Sequence, residues 1–242
     1  MSDFTFKKYS ELLINFRKKG YINVDFSKID PSKKHIVVRH DIDMTMDSAV
    51  KMAEIEHEIG IKATYFILLR SGMYNVFSKE VDEKIRRILE LNHTIGLHFD
   101  PSLYLYKSVR SLDKYCFDEC LLLERWFNIN IDIVSFHRPA SIFLGLDDCI
   151  GGRSHTYQPC YFKDIAYCSD SRGDWHYGHP LDIIKLGNFP ALQLLVHPVW
   201  WDSQSNESSE KRLDRLVVEH NHDYQIELGS NCQVFKSQKH SK

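Results

Sequence analysis

The sequence lacks the features that mark several common functional classes. Its charges nearly cancel, with 31 Lys and Arg against 33 Asp and Glu and a formal net charge of -2, which argues against a nucleic-acid partner. No apolar run is long enough to cross a bilayer, and the start Met1-Ser2-Asp3-Phe4 lacks the basic and apolar regions of a signal peptide. We therefore expect a cytoplasmic protein without a membrane span.

The six cysteines also lack a functional pattern. There is no Cys-x-x-Cys pair, and Cys116 and Cys120 have one-turn helical spacing but no second pair that would complete a zinc site. In a cytoplasmic protein, such cysteines are reduced and pack as small apolar side chains. The chain has no internal repeat, low-complexity block or evident domain boundary, so 242 residues predict one domain with a sizeable core.

What the sequence does contain is an alternation of apolar, β-rich runs with amphipathic segments. A strand, a helix of ordinary length and a second buried strand form a βαβ unit, which predicts a parallel sheet. The weakly periodic stretch 140–159 predicts a long functional loop, and 203–210 predicts a second loop. The patterns predict helices over 4–19, 45–59, 79–91, 108–127 and 210–218, and strands near 36–38, 63–69, 94–97, 131–136, 165–168 and 192–196.

Five of these strands end in a polar cluster. The carboxyl ends of parallel strands meet at one edge, where α/β folds collect ligands and catalytic groups. A solvated surface would scatter such groups, so their placement predicts the mouth of a barrel. The clusters are His40-Asp41-Ile42-Asp43, His98-Phe99-Asp100, His137-Arg138-Pro139, Ser169-Asp170-Ser171 and His197-Pro198.

The first cluster has two interpretations. If the chain stays extended, Asp41 and Asp43 lie on the same side of the strand. Charged groups at the end of a buried strand are costly unless they pair or bind a metal. A salt-bridged strand end, in which Arg39 neutralises Asp41, explains an isolated Asp-x-Asp better than a functional site does. The functional interpretation therefore depends on the other four clusters.

Together the clusters contain the groups of a metal-dependent hydrolase. Asp43 and His98 offer the oxygen and nitrogen ligands that suit zinc or another divalent ion. Asp41 is placed to take the proton of an attacking water, and His197 to protonate a leaving amine. Two further residues would keep the base and the acid charged and oriented, namely Arg138 for Asp41 and Asp170 for His197.

In order along the chain, these segments resemble the five motifs of the polysaccharide deacetylases. The sequence is similar to that superfamily, the NodB-homology or carbohydrate esterase family 4 fold, over about 36–201. It resembles most the His-Asp-x-Asp branch found in bacterial surface-polysaccharide (O-antigen) gene clusters. The matching segments are Arg39-His40-Asp41-Ile42-Asp43, Gly96-Leu97-His98, Arg138-Pro139, Asp170-Ser171-Arg172-Gly173-Asp174-Trp175 and Leu195-Val196-His197-Pro198.

The resemblance implies an α/β fold, a deformed (β/α) barrel of about seven parallel strands. We expect one catalytic barrel over 1–235 and a flexible tail over 236–242. The implied reaction is hydrolytic removal of an N- or O-acyl group from a sugar, with zinc or else cobalt, manganese or nickel. By position, Asp41 resembles the catalytic base, Asp43 the metal aspartate, His98 the first metal histidine, Arg138 the arginine that tunes the base, and His197 the catalytic acid.

The sequence departs from the family at one metal ligand. The family's second metal histidine follows the first by four residues, where this chain has Ser102 preceded by Pro101. His137, at the next strand end, is our preferred substitute for the third ligand. Asp100 and a water molecule are the alternatives.

The expected substrate is a small molecule or glycan precursor, such as a lipid- or nucleotide-linked amino sugar. Trp175 and Trp200 follow motif residues directly and are candidates to stack on a sugar ring, although packing explains either one equally well. One alternative is a hydrolase of C–N bonds in non-sugar amides. Another is a non-catalytic barrel that lost a metal ligand and binds a sugar or a partner protein, although such a barrel would need neither Asp41 nor His197.

Overall fold

A computed structural model describes residues 4–204 and 207–235, so the tail predicted over 236–242 lies outside the described residues. In chain order the main elements are α1 (Phe6–Lys18), β1 (Ile22–Asn23), β2 (His35–Ile42), α2 (Asp47–Glu58), β3 (Thr64–Ile67), α3 (Lys79–Glu90), β4 (Thr94–Phe99), α4 (Asp113–Phe127), β5 (Ile133–Phe136), β6 (Ser154–His155), α5 (Pro159–Phe162), β7 (Ala166–Ser169), α6 (Pro180–Lys185), β8 (Leu192–Val196), α7 (Pro198–Trp201) and α8 (Ser209–Asn231). Short 3-10 turns cover Phe26–Lys28, Pro101–Leu103, Val109–Leu112, Ser141–Phe143 and Ser171–Gly173.

All strands belong to one sheet in which every pairing is parallel. The order is β6-β5-β4-β3-β2-β8-β7, and the short β1 pairs with the start of β2. These seven strands curl into a half-barrel covered by helices, which confirms the expected deformed (β/α) barrel. Parallel pairing brings the carboxyl ends of β2, β4, β5, β7 and β8 to the same edge.

Strand β2 lies in the middle of the sheet, and all eight of its residues are buried. Alternation divides its side chains between two environments. Val37 packs with Phe66 and Ile133 inside the curl, whereas Val38 and Ile42 join the larger core between sheet and helices. The odd-numbered residues of β2 therefore face the interior of the barrel.

His40 faces the opposite way from the barrel interior and is fully buried. Its Nε2 atom lies 2.7 Å from Oε1 of Glu56, and the Tyr65 hydroxyl donates to Glu56 at 2.6 Å. The hydroxyl of Tyr9, on α1, also donates to Glu56. Burial alone would raise the pKa of Glu56, but the charges of His40 and His93 hold it below the usual value. His40, in the first motif, thus connects the sheet to α1 and α2 through its contact with Glu56.

The structure differs from the sequence predictions mainly in the loops and in α8. The predicted loop 140–159 contains the short strand β6 and the start of α5. The last helix was predicted to end at Val218 but continues to Asn231. No residue of this helix after Val218 is buried. The last part of the helix therefore lacks the buried apolar residues at helical spacing from which its length could be predicted.

Other sequence expectations concern membrane segments and cysteines. No helix in residues 4–204 and 207–235 is long and apolar enough to cross a membrane. Cys116 and Cys120 are free and fully buried, in keeping with packing as small apolar side chains.

Candidate active site

The carboxyl edge of the sheet opens into a cavity of about 990 Å³. Besides Arg138 and Trp200, five residues predicted for the site border it together, although they come from four different strand ends. They are Asp41, Asp43, His98, His137 and His197. Motifs that are far apart in the sequence thus lie together at one cavity, as the sequence predicts.

Asp41 is held by an arginine of its own strand. The Nε and Nη2 atoms of Arg39 donate to the two carboxylate oxygens of Asp41, each at 2.8 Å. Arg39 also donates to Gln193 and to the Tyr157 hydroxyl, each at 3.2 Å. Burial alone would raise the pKa of Asp41, but the charge of Arg39 holds it below its usual value. Asp41 is therefore an ionised carboxylate fixed in orientation at the base of the cavity.

Asp43 lies at the centre of three imidazoles. Its Oδ1 atom is 3.1 Å from Nε2 of His98 and 4.0 Å from Nε2 of His137, and its Oδ2 atom is 4.0 Å from Nε2 of His197. Burial alone would raise the pKa of Asp43, but the neighbouring imidazoles hold it well below its usual range. Oδ1 is buried and accepts no hydrogen bond of suitable geometry from the residues described. An unsatisfied buried carboxylate oxygen beside imidazoles suits a bound cation.

The other ring nitrogen of each candidate metal histidine has its own partner. Nδ1 of His98 is 2.6 Å from Oγ of Ser135, which donates to Asp41 at 3.4 Å. Nδ1 of His137 is 2.9 Å from Oδ2 of Asp100. These contacts favour a proton on both Nδ1 atoms and leave both Nε2 lone pairs directed at Asp43. Asp100, the alternative third ligand, is thus the partner of His137 and does not contact Asp43.

His197 is oriented by Asp170, as the sequence predicts. Oδ1 of Asp170 lies 2.7 Å from Nδ1 of His197 and accepts from the backbone N–H of His197 at 3.0 Å. The other oxygen of Asp170 accepts from the indole of Trp201 at 2.7 Å. Burial alone would lower the pKa of His197, but Asp170 raises it to about 9. The Nε2 side of a protonated imidazole therefore faces the cavity.

Arg138 does not contact Asp41, contrary to the expectation from the motifs. It borders the cavity but is exposed, and its backbone has a left-handed φ of 48°. Arg39, not Arg138, is the arginine that donates to both oxygens of Asp41. The salt-bridge interpretation of Arg39 was correct, and it coexists with the candidate site.

The two tryptophans have different surroundings. Trp200 is 6% exposed and borders the cavity, so it remains a candidate for stacking. Trp175 is not among the residues that line the cavity, and its ring packs 5.5 Å from Phe4 and 6.0 Å from Trp201 near α1. The chain turns at Gly173, which has a φ of 73° and lies two residues before Trp175.

Some residues of the site carry no signal in the sequence. Ser135 and Gln193 lie in apolar strands and Tyr157 lies in the predicted loop 140–159, so only the fold brings them to Asp41 and Arg39. The partnership of Asp100 with His137 could have been found, since the two residues follow consecutive strands of the predicted parallel sheet.

Asp43, His98 and His137 suit a divalent ion because they are common metal ligands and lie close together. Within the described part of the chain, no three or more His, Cys, Asp or Glu side chains form a preformed metal-binding group. Ligands about 2.0–2.1 Å from a tetrahedral zinc are about 3.3 Å apart. The separations of 3.1 and 4.0 Å from Asp43 to His98 and His137 bracket this value. Asp43, His98 and His137 would offer one carboxylate and two imidazoles to such an ion.

Sequence comparisons identify no relative, whereas solved structures do match. A scan against protein-family models and a search of curated proteins found nothing similar. One match is a carbohydrate esterase family 4 pseudoenzyme from Bacillus anthracis, with 16% identity, a TM-score of 0.43 and coverage of 80% of this chain and 63% of that chain. The present chain thus spans less than two thirds of that protein.

Two further matches cover most of both chains. A family 4 carbohydrate esterase from Bacillus anthracis is 17% identical over 88% of this chain and 86% of that chain, with a TM-score of 0.47. The chitin deacetylase of the fungal pathogen Colletotrichum lindemuthianum is 13% identical over 82% of this chain and 86% of that chain, with a TM-score of 0.44. Two of these three matches are described as members of carbohydrate esterase family 4.

Proposed function

We propose that this protein is a metal-dependent hydrolase that removes an N- or O-acyl group from an amino sugar or glycan precursor. The observation that carries the proposal is the position of Asp43, which lies within 4.0 Å of His98, His137 and His197 at the base of one cavity. Asp41 borders the same cavity and is the carboxylate that Arg39 keeps ionised. A ligand set, a base and an acid are thus available together.

Asp43, His98 and His137 would hold the divalent ion, which is zinc or else cobalt, manganese or nickel. When bound, such an ion lowers the pKa of a water molecule and polarises the acyl carbonyl. Ser135 and Asp100 act on the Nδ1 atoms of the two histidines and thereby present their Nε2 atoms as ligands.

Asp41 is the general base in this proposal. Its carboxylate accepts the proton of the attacking water, and the two hydrogen bonds from Arg39 prevent the carboxylate from rotating away. The Oδ2 atom of Asp41 lies 3.7 Å from Nε2 of His98, which places the base next to the metal ligands.

His197 is the general acid. Asp170 accepts from Nδ1, so the proton on Nε2 is directed into the cavity, where a leaving amine or alcohol would receive it. The side chain of Asp170 is fully buried and makes further hydrogen bonds to Trp201 and to the backbone of His197. These contacts are what a positioning carboxylate requires, and a barrel that only bound sugar would need neither this pair nor an ionised Asp41.

Elemental analysis of protein purified without chelators, combined with assays of acetate release, tests the proposal. We expect about one divalent ion per chain and release of acetate from N-acetylated amino sugars faster than from small non-sugar amides. Equal or preferential hydrolysis of small amides would favour the C–N hydrolase alternative. Absence of both bound metal and turnover, in protein that remains folded, would contradict the proposal.

A further inference from the structure

Two arginines border the cavity without a partner. Arg138 follows β5 and Arg172 follows β7, and both line the same cavity as Asp41, Asp43 and His197. Both are exposed, and neither side chain has an ion pair or hydrogen bond to the residues described. Most other arginines at buried or cleft positions are paired, as Arg39 is with Asp41. Both guanidiniums are therefore free of the described carboxylates and available to an anionic ligand in the cavity.

The cavity changes character from its base to its mouth. At the base are the buried carboxylates and imidazoles. Apolar and aromatic side chains form the walls, among them Phe136, Phe162 and Trp200. The two exposed arginines contribute the positive charge at the mouth. A ligand that complements this cavity has an uncharged reacting group at the base and an anionic group at the mouth.

Both arginines also have unusual backbone conformations. The φ angles are 48° at Arg138 and 61° at Arg172, in the left-handed region that side chains other than glycine and asparagine rarely adopt. Such conformations persist where the surrounding structure enforces them, and they are frequent at ligand-binding positions. Here they occur in the loops that follow β5 and β7, each of which brings one guanidinium to the border of the cavity.

We propose that Arg138 and Arg172 bind a phosphate or diphosphate group, so that the substrate is an acylated amino sugar carried as a glycosyl phosphate. A guanidinium presents a planar fork of donors that matches two phosphate oxygens. Two unpaired guanidiniums match a group with two negative charges better than a neutral glycan or a single carboxylate. This inference rests on the proposed function and adds the class of substrate; the carrier is either a nucleotide or a lipid.

Substrate discrimination tests the inference. We expect kcat/KM to be about 10- to 100-fold higher for nucleotide- or polyprenyl-diphosphate N-acetyl amino sugars than for a neutral methyl glycoside of the same sugar. Arg138→Gln or Arg172→Gln should lower kcat/KM by about that factor for the diphosphate substrates, mainly through KM, and by much less for the neutral glycoside. Arg110→Gln is the matched control, because Arg110 is exposed and lies outside the cavity. Comparison of the two diphosphate substrates identifies the carrier.

Calorimetric titration of metal-free protein with inorganic diphosphate gives a second readout that needs no catalysis. Binding that both substitutions weaken, without turnover of any substrate, would support the anion site and overturn the proposed function. Efficient hydrolysis of the neutral glycoside with no diphosphate binding would support the proposed function and overturn the anion site. An equal loss of activity on neutral and diphosphate substrates in the arginine variants would also overturn the anion site.

Discussion

Arg39 and Asp41 lie two residues apart on one buried strand, and two 2.8 Å hydrogen bonds join their side chains inside the barrel. The arginine is fully buried and the aspartate is 3% exposed, so neither charge is compensated by water. A buried ion pair contributes little net stability compared with apolar residues, but loss of one partner is costly. The pair is better explained by the need for an oriented carboxylate at the base of the cavity.

Arg39→Met tests the dependence of Asp41 on its partner. The variant leaves a buried carboxylate without a counter-charge, and we expect the free energy of unfolding to fall by about 3–5 kcal/mol. Urea denaturation followed by circular dichroism measures the loss. In the double variant Arg39→Met/Asp41→Leu, the loss should be smaller than in the single variant. Strictly additive effects of the two substitutions would contradict the account.

The partners of the metal histidines give a second prediction. Asp100→Asn weakens the acceptor for Nδ1 of His137, and such partners typically change metal affinity about 10- to 100-fold. His137→Ala should weaken zinc binding at least as much, because it removes a ligand. Competition with a chromophoric chelator measures both dissociation constants. The exposed residues Asp132 and His176 supply the matched controls, Asp132→Asn and His176→Ala. An unchanged dissociation constant in His137→Ala would remove it from the ligand set.

The role of His197 as acid predicts a dependence on the leaving group. His197→Ala should lower kcat on an N-acetyl amino sugar by about 10²–10⁴-fold, the usual contribution of a positioned acid. A nitrophenyl acetate releases an anion that needs no proton, so its hydrolysis should be much less affected. Similar losses on both substrates would mean that His197 acts in another way, for example as a metal ligand beside Asp43.

The cluster around Glu56 predicts a pH dependence of stability that is separate from the site. The folded-state pKa of Glu56 lies below its ordinary value, so ionised Glu56 stabilises the fold above about pH 4.3, and this contribution is lost as the pH falls through the folded-state pKa. Glu56→Gln should lower the free energy of unfolding at pH 7 by about 1.5–3 kcal/mol. Below about pH 4.3, the free energy of unfolding should also fall less steeply in this variant than in the unmodified protein. Urea denaturation between pH 3 and pH 7 checks both effects, and an unchanged acid dependence would contradict the assignment.

The sequence was informative where a residue's place follows from alternation along a strand. Asp41 and Asp43 share a side of β2 because side chains alternate, and parallel pairing brings His98, His137 and His197 to the same edge. These relationships need only the strand assignments and the direction of the sheet.

Side-chain partners that depend on loop geometry could not be predicted. Arg138 was expected to contact Asp41. The backbone of Arg138 itself has the left-handed conformation, and its side chain lies at the mouth of the cavity. Trp175 was expected at the rim, but its ring packs against Phe4 and Trp201. Motif order indicates which loop a residue belongs to, whereas φ and ψ within that loop determine what it contacts.

The most direct test of the central claim is to measure metal content and acetate release for Asp41→Asn and Asp43→Asn side by side. The account predicts that Asp41→Asn retains about one metal ion per chain and loses turnover, because it removes the base and leaves the ligands. It predicts that Asp43→Asn loses both metal and turnover. Loss of metal in Asp41→Asn together with its retention in Asp43→Asn would contradict the assignment of these two carboxylates.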